Sequence, residues 1–134
     1  MAISHLHHIN FIVHDLEEAV QRYQQNLGLS EFIFDPLPKR GVKTARVMLG
    51  EVWLVLVQPT NPNSEPGKYL QQHGEGFFLL SLATNDLDDT IGRLGLDLDK
   101  RRGLENWQVA DLPKEMFFGA QLQLTEELPT EPTS

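Results

Sequence analysis

The chain contains no cysteine. That absence excludes a disulfide framework, a thiolate metal site and a cysteine nucleophile, and it fits a cytoplasmic protein. Long hydrophobic runs are also missing, since the longest nearly uncharged one, residues 52–57, is far too short to cross a bilayer. The first ten residues do not combine a basic start with an apolar run, so we expect no secretory signal and no membrane association.

Basic residues are scarce. The chain has 11 Lys and Arg residues and 19 Asp and Glu residues, which gives a formal net charge of −8. This charge argues against nucleic-acid binding, because that needs a basic face. An anionic ligand such as a CoA thioester would need a local basic patch. Two stretches are candidates, and we interpret each as a solvated loop. They are Lys39, Arg40, Lys43 and Arg46, and then Lys100, Arg101 and Arg102.

What is present is an ordinary globular composition of domain size, with 134 residues, 40% of them hydrophobic and 22% charged. Apolar, β-branched and aromatic runs predict strands at 6–13, 32–34, 42–49, 52–58, 77–83, 96–98, 106–110 and 120–125. Asp15, with Glu18 three residues later, predicts the start of a helix that Gly28 ends. Asn85 and Asp86 predict the start of another helix. A short helix is expected at 68–73, and Pro36 and Pro59 should end their strands.

The sequence repeats itself. Residues 13–18, VHDLEE, match residues 84–89, TNDLDD, and in each case a strand precedes and an amphipathic helix follows. Two similar helix caps could arise by chance, but the matching flanks favour a tandem βαβββ duplication. We expect modules at about 5–59 and 75–126 within one domain, 1–134, with residues 127–134 as a flexible tail.

The opening motif carries a family likeness. Residues 6–19, LHHINFIVHDLEEA, together with Tyr23 and the segment NLGL at 26–29, resemble the start of glyoxalase-fold (vicinal oxygen chelate) proteins, and among them methylmalonyl-CoA epimerases most. Gly41, Gly50 and the segment GEG at 74–76 extend the likeness. It implies an α+β fold in which two tandem βαβββ modules form a curved mixed sheet around a cleft. The fold itself hosts lyases, epimerases, dioxygenases and metal-free drug-binding proteins, including bleomycin-resistance proteins.

The resemblance also implies where a metal would bind. Four side chains, typically His, Glu or Gln, His and Glu, converge in the metal-dependent members of the family and leave positions open to polarise a substrate. The matching positions here are His8, Val55, Leu79 and Gln123. Val55 and Leu79 cannot coordinate a metal, and Gln123 is a weak neutral ligand. We therefore expect no metal cofactor, with a divalent metal on His8 and Gln123 as the alternative.

Strand alternation then predicts which residues line the cleft. Its lining would be apolar with a few polar groups, as is typical of small-molecule sites. The alternative is that these side chains simply fill the space as core. The predicted lining is His8, Asn10, Trp53, Val55, Val57, Leu79, Ser81, Gln121, Gln123 and Thr125.

The remaining histidines form no obvious metal site. His5 and His7 share one face of an extended segment while His8 points away, so we expect the first two to be surface residues. His14 and His73 should also be exposed. No nucleophilic triad, phosphate-binding loop or pair of catalytic carboxylates stands out, and no catalytic residue is predicted.

The sequence thus favours a metal-free protein that binds a small, partly apolar molecule. The alternative is a metal-dependent isomerase or lyase resembling methylmalonyl-CoA epimerase or glyoxalase I. We also expect a homodimer, with 32–34 and Phe117 and Phe118 as candidate interface segments.

Overall fold

The computed structural model describes residues 3–129. The fold is mixed α+β, with three α-helices and eight strands among these residues. The strands are β1 Ile3–Ile12, β2 Ile33–Leu37, β3 Val42–Leu49, β4 Val52–Pro59, β5 Gly76–Thr84, β6 Arg101–Arg102, β7 Trp107–Asp111 and β8 Leu122–Glu127. The helices are α1 Leu16–Leu27, α2 Glu65–His73 and α3 Leu87–Arg93.

The chain forms two compact units. The first unit is His8–Phe78, and the second combines the residues before it with those from Leu79 onward. In the first unit the strands are hydrogen-bonded in the order β2-β3-β4-β1, and in the second the order β5-β8-β7-β6 repeats that arrangement. β1 and β4 run parallel, as do β5 and β8, whereas all the other pairs within these two orders are antiparallel. Each unit therefore carries one βαβββ repeat, as the sequence predicts.

The two helix caps confirm the internal repeat in atomic detail. Asp15 accepts a hydrogen bond from the Glu18 amide, and Asp86 does the same for the Asp89 amide, each at 3.0 Å. The first helical amide of α1, at Leu16, donates to the side chain of Gln58 at 2.8 Å. The Leu87 amide of α3 donates equally to Glu126. Side chains of β4 and β8 thus satisfy amide groups that a helix N-terminus leaves without intrahelical partners.

Each unit buries its helix against its own sheet. In the first unit Leu16 and Val20 of α1 pack on Val13, Ala45 and Leu56. In the second, the corresponding cluster consists of Leu87, Ile91, Ala110, Leu112 and Leu124. Gly28 ends α1 in the left-handed conformation, with φ at 68°, where a side chain would be strained.

Three local predictions are corrected. β2 runs through Pro36 because it lies at the end of its strand order, where a residue lacking an amide proton costs no ladder bond. Residues 96–98 form no strand, and the short outer strand is Arg101–Arg102 instead. α2 begins at Glu65 rather than at 68, because Ser64 caps it by accepting a hydrogen bond from the Gly67 amide.

The predicted flexible tail falls mainly outside the described residues. Of residues 127–134, only 127–129 are described. Leu128 is tied to Asn106 there: its amide donates to the Asn106 carbonyl at 2.9 Å.

Candidate functional site

One face of the first unit carries four of the predicted site residues in two adjacent rows. Asn10 of β1 lies beside Val55 of β4, and His8 lies beside Trp53. Because directly paired residues share a face of the sheet, these four side chains belong together. His8 and Val55 are 3% and 2% exposed, whereas Asn10 and Trp53 are half-buried.

Arg46 of β3 extends the row of Asn10 and Val55. It is the β3 partner of Val55, yet it is only 1% exposed. Its guanidinium donates to the Asp35 carboxylate at 2.6 Å and lies 4.8 Å from the centre of the Trp53 ring. The expectation of a solvated basic loop is therefore wrong for Arg46, which is a buried charge held by an ion pair and a cation–π contact.

An apolar cluster continues the same face. Val42, Val55 and Val57 are buried together, with Leu37 and Trp53 packed against them. The Asn10 side-chain oxygen is buried here and has no hydrogen-bond partner among residues 3–129. This face thus combines an aliphatic wall, an indole ring, one guanidinium and one amide.

The second unit holds the other predicted site residues. Ser81 of β5 pairs with Gln123 of β8, and its hydroxyl lies within hydrogen-bond distance of both the Gln123 carbonyl, at 3.3 Å, and the Thr125 hydroxyl. Leu79 is 5% exposed, and Gln121 is half-buried. The Ser81 hydroxyl is therefore engaged within the sheet, which favours a structural role for it.

Gln123 is both buried and held by a hydrogen bond to a charged side chain. It is 2% exposed, and its Nε2 donates to the Asp111 carboxylate at 3.0 Å. Asp111 in turn accepts two hydrogen bonds from Arg101. The Gln123 Oε1 atom is buried, and no described residue donates to it.

The internal repeat places Val55 of the first unit and Gln123 of the second unit at equivalent positions. Gln58 and Glu126 cap equivalent helices, and three residues before them lie Val55 and Gln123. Their antiparallel partners, Arg46 and Asp111, are therefore equivalent too. Each belongs to an Arg–Asp ion pair. The member paired with β4 in the first unit is the arginine, whereas the member paired with β8 in the second unit is the aspartate.

The residues that the family resemblance assigns to the metal do not fit a divalent metal. Val55 and Leu79 have no donor atom, and the strand partner of Val55 is Arg46, a buried cation paired with Asp35. Across residues 3–129 no group of three or more His, Asp or Glu side chains is arranged to hold a metal ion. His8 offers one ring nitrogen and Gln123 one neutral amide oxygen, whereas an octahedral divalent site is normally built from several charged or strongly donating ligands.

His7 is buried, contrary to the expectation of a surface histidine. It is 4% exposed, its Nε2 lies 2.8 Å from Glu127, and its ring meets Trp107 edge-on at 4.6 Å. Burial lowers the pKa of His7, although the Glu127 carboxylate opposes that shift. His5, His14 and His73 are exposed as predicted.

The lowered pKa of His7 predicts a pH-dependent stability. Because the unfolded chain binds the proton more readily, the stability gained by keeping His7 neutral is complete above about pH 6.5. It is lost as the pH falls through that value towards the folded pKa. Urea unfolding between pH 5 and 8 should show this loss in the wild type and a weaker one in His7→Gln. The exposed His5→Gln is the matched control, and an unchanged slope in His7→Gln would contradict the assignment.

Two features of the candidate site escape sequence reasoning. From the sequence, Arg46 is expected to be a solvated cation like its basic neighbours. Both faces of β3 are largely buried, so no alternation of polar and apolar residues distinguishes a buried position in this strand. Asp111 stands at the end of β7 and gains its role only through Gln123, 12 residues later. In both cases the partner that reveals the role lies on another strand.

Comparison with known proteins identifies the family. Residues 7–97 match the profile of the glyoxalase/bleomycin resistance protein/dioxygenase superfamily. The chain belongs to this superfamily.

Sequence relatives include methylmalonyl-CoA epimerase. The chain is 32% identical over 119 residues to the mitochondrial methylmalonyl-CoA epimerase of Homo sapiens, an alignment that spans 88% of this chain and 62% of that protein. It is 23% identical over 130 residues to the uncharacterized protein YqjC of Bacillus subtilis (strain 168), covering 92% of this chain and 93% of the relative.

Solved structures share the fold. A variant of the Streptomyces coelicolor methylmalonyl-CoA epimerase in complex with 2-nitronate-propionyl-CoA superposes with a TM-score of 0.88, covering 95% of this chain and 99% of that one at 24% identity. The Mycobacterium tuberculosis methylmalonyl-CoA epimerase gives 0.86, covering 96% and 91% at 24% identity. At this identity the likeness shows the glyoxalase fold. Among the described residues, no helix is both long and apolar enough to cross a membrane.

Proposed function

We propose that the protein binds a small, partly apolar molecule without a metal ion, within the cytoplasm. The observation that carries this proposal is Arg46. Arg46 is buried and is the strand partner of Val55, the residue at which the resemblance implies a metal ligand. Its guanidinium lies 4.8 Å from the centre of the neighbouring Trp53 ring. A positive charge on this face of the sheet disfavours a divalent cation.

The side chains proposed to contact the ligand are of two kinds. Trp53, Val55 and Leu79 offer apolar surface, and Trp53 in addition offers a flat ring for stacking. His8, Asn10, Gln121 and Gln123 offer polar atoms. Buried acceptor oxygens on Asn10 and Gln123 support this choice, because such atoms are normally satisfied and here gain a partner if a ligand donates to them.

A ligand screen tests the proposal. Chelator-treated protein is screened against a library of small aromatic and aliphatic fragments by thermal shift, and binding is mapped by two-dimensional NMR. We expect stabilising fragments that perturb the amides around Trp53 and that lose their effect in Trp53→Ala. Fragments that bind only after cobalt or nickel is added back would contradict a metal-free site.

The second candidate function is a methylmalonyl-CoA epimerase-like isomerase. It is favoured by the 32% identity with the human enzyme. Four of the seven basic residues in the two candidate patches, Lys43, Arg46, Lys100 and Arg101, are each paired with a carboxylate, which a CoA phosphate would have to displace. Exchange of the α-proton of methylmalonyl-CoA in deuterated buffer with cobalt present would support this candidate, and absence of exchange would exclude it.

We also propose that the protein forms a homodimer. Phe118 is fully exposed, and Ile33 and Phe34 of β2 are 43% and 52% exposed. Phe32 and Phe117, in contrast, pack against the cores of their own units, so only part of each predicted segment is available. Light scattering after size exclusion should give twice the chain mass at micromolar protein, and a monomer mass would exclude the dimer.

A further inference from the structure

The orientation of the Gln123 side-chain amide is fixed by chemistry. Its nitrogen, Nε2, lies 3.0 Å from Asp111 Oδ1, and a carboxylate can only accept hydrogen bonds. Rotating the amide by half a turn would set its oxygen against that carboxylate. The Asp111 carboxylate is itself held, since Arg101 donates to both of its oxygens. Nε2 must therefore face Asp111, and Oε1 must face away from it.

The Oε1 atom of Gln123 is a buried acceptor. Gln123 is 2% exposed, and no residue within 3–129 donates to Oε1. The nearby Ser81 hydroxyl is engaged with the Gln123 main-chain oxygen and with Thr125 instead. Leaving such an acceptor unpaired carries the full desolvation cost of the group, because no hydrogen bond replaces the one to water. A ligand that donates a hydrogen bond to Oε1 would recover that cost.

The surroundings decide which chemical group suits Oε1. A ligand carboxylate or ether would place one acceptor against another. A divalent cation would find in Oε1 a neutral and weak ligand, and Asp111 is already committed to Arg101 and to the amide. A hydroxyl or an amide N–H satisfies the acceptor with no change of charge.

We infer that Gln123 is a specificity-determining residue that selects ligands bearing a hydroxyl or N–H donor. The inference rests on the proposed ligand-binding function and narrows its ligand class. Asp111 acts as a positioning residue, because it holds the amide in the accepting orientation. Where the resemblance implies a metal-binding carboxylate, Gln123 thus offers a neutral acceptor instead.

Matched pairs of fragments test the selection directly. The probes are phenol with anisole and acetanilide with N-methylacetanilide, since each second member lacks the donor. Dissociation constants are measured by NMR titration of the chelator-treated protein. We expect the donor member of at least one pair to bind the wild type about tenfold more tightly, which is the discrimination one hydrogen bond provides. In Gln123→Met, a variant of similar volume, both members should bind equally.

A second variant isolates the role of Asp111. Asp111→Asn offers both a donor and an acceptor to the Gln123 amide, so the amide can present either end to the ligand. We expect the donor preference to shrink severalfold, and the ¹⁵N-resolved Gln123 side-chain protons to lose the downfield shift of a proton bonded to a carboxylate. This variant also serves if Gln123→Met does not fold.

The outcomes separate the inference from the function on which it rests. Equal binding of both members to the wild type, or a preference that survives Gln123→Met, overturns the role of Gln123 but leaves the binding function in place. If no member of either pair binds and the wider fragment screen is also negative, the binding function fails and the inference fails with it.

Discussion

Removing the Asp35 carboxylate should destabilise the protein more than removing the Arg46 guanidinium it pairs with. In Asp35→Ala the guanidinium stays 1% exposed but loses its carboxylate, 2.6 Å away. In Arg46→Met the buried charge is gone, and Asp35, whose side chain is 36% exposed, can be hydrated instead. We expect Asp35→Ala to lower the free energy of unfolding by about 2–4 kcal/mol and Arg46→Met by about 1 kcal/mol, because a buried cation that loses a hydrogen-bonded carboxylate is costlier than an accessible carboxylate that loses its cation.

Urea unfolding of the wild type and four variants checks this asymmetry. The isosteric Asp35→Asn should fall between the two single variants, since it keeps a neutral acceptor for the guanidinium. In the double variant Asp35→Ala/Arg46→Met, most of the loss caused by Asp35→Ala should disappear. If Arg46→Met proves the more harmful change, Arg46 contributes chiefly through packing on Trp53, and its description as a charge held in place by Asp35 is wrong.

Placing a carboxylate at position 123, where the family resemblance implies one, should destabilise the protein in a pH-dependent way. Glutamate in place of Gln123 would face the Asp111 carboxylate at about the present 3.0 Å, so the pKa of the new carboxyl should be raised. A raised folded pKa means that stability is lost as the pH rises from the unfolded value, about 4.3, through the folded one. We expect a loss of about 2 kcal/mol at pH 8, moderated by Arg101, and little loss at pH 4.

Thermal or urea unfolding of Gln123→Glu across pH 4 to 8 measures this effect. The matched control is Gln123→Glu combined with Asp111→Asn, which keeps the new carboxylate and removes the opposing charge. Its stability should follow the pH profile of the Asp111→Asn variant alone. A pH-independent loss in Gln123→Glu would indicate that steric misfit, and not charge repulsion, sets the cost.

The local elements of the fold could be predicted because their signals are local. Asp15 and Asp86 predict the starts of their helices, because each side chain accepts a hydrogen bond from the amide three residues later. The repeat at 13–18 and 84–89 predicts that both halves share one topology, and the matched strand orders confirm it. β3 and β4 follow the apolar pattern almost residue for residue, since Gly50 with φ at 66° turns the chain between them.

The features that sequence reasoning missed depend on distant partners. His7 is buried by Trp107 and Glu127, which lie 100 residues or more along the chain and nowhere near it in any sequence pattern. Nothing in the sequence around Arg46 predicts that it is buried. Its role follows from its contacts with Asp35 and Trp53, which only the structure shows. The family likeness and strand alternation predict the residues of the candidate site. The ion pairs that determine the electrostatics around these residues join different strands and are visible only in the structure.

The metal content of the untagged protein tests the central claim most directly. The protein is incubated with cobalt, nickel, zinc and manganese, dialysed and subjected to elemental analysis, with His8→Ala as the paired variant. The metal-free account predicts no stoichiometric metal in either protein, and fragment binding that is indifferent to a chelator. About one metal per chain in the wild type, lost in His8→Ala, would contradict it and would favour a metal-dependent isomerase or lyase.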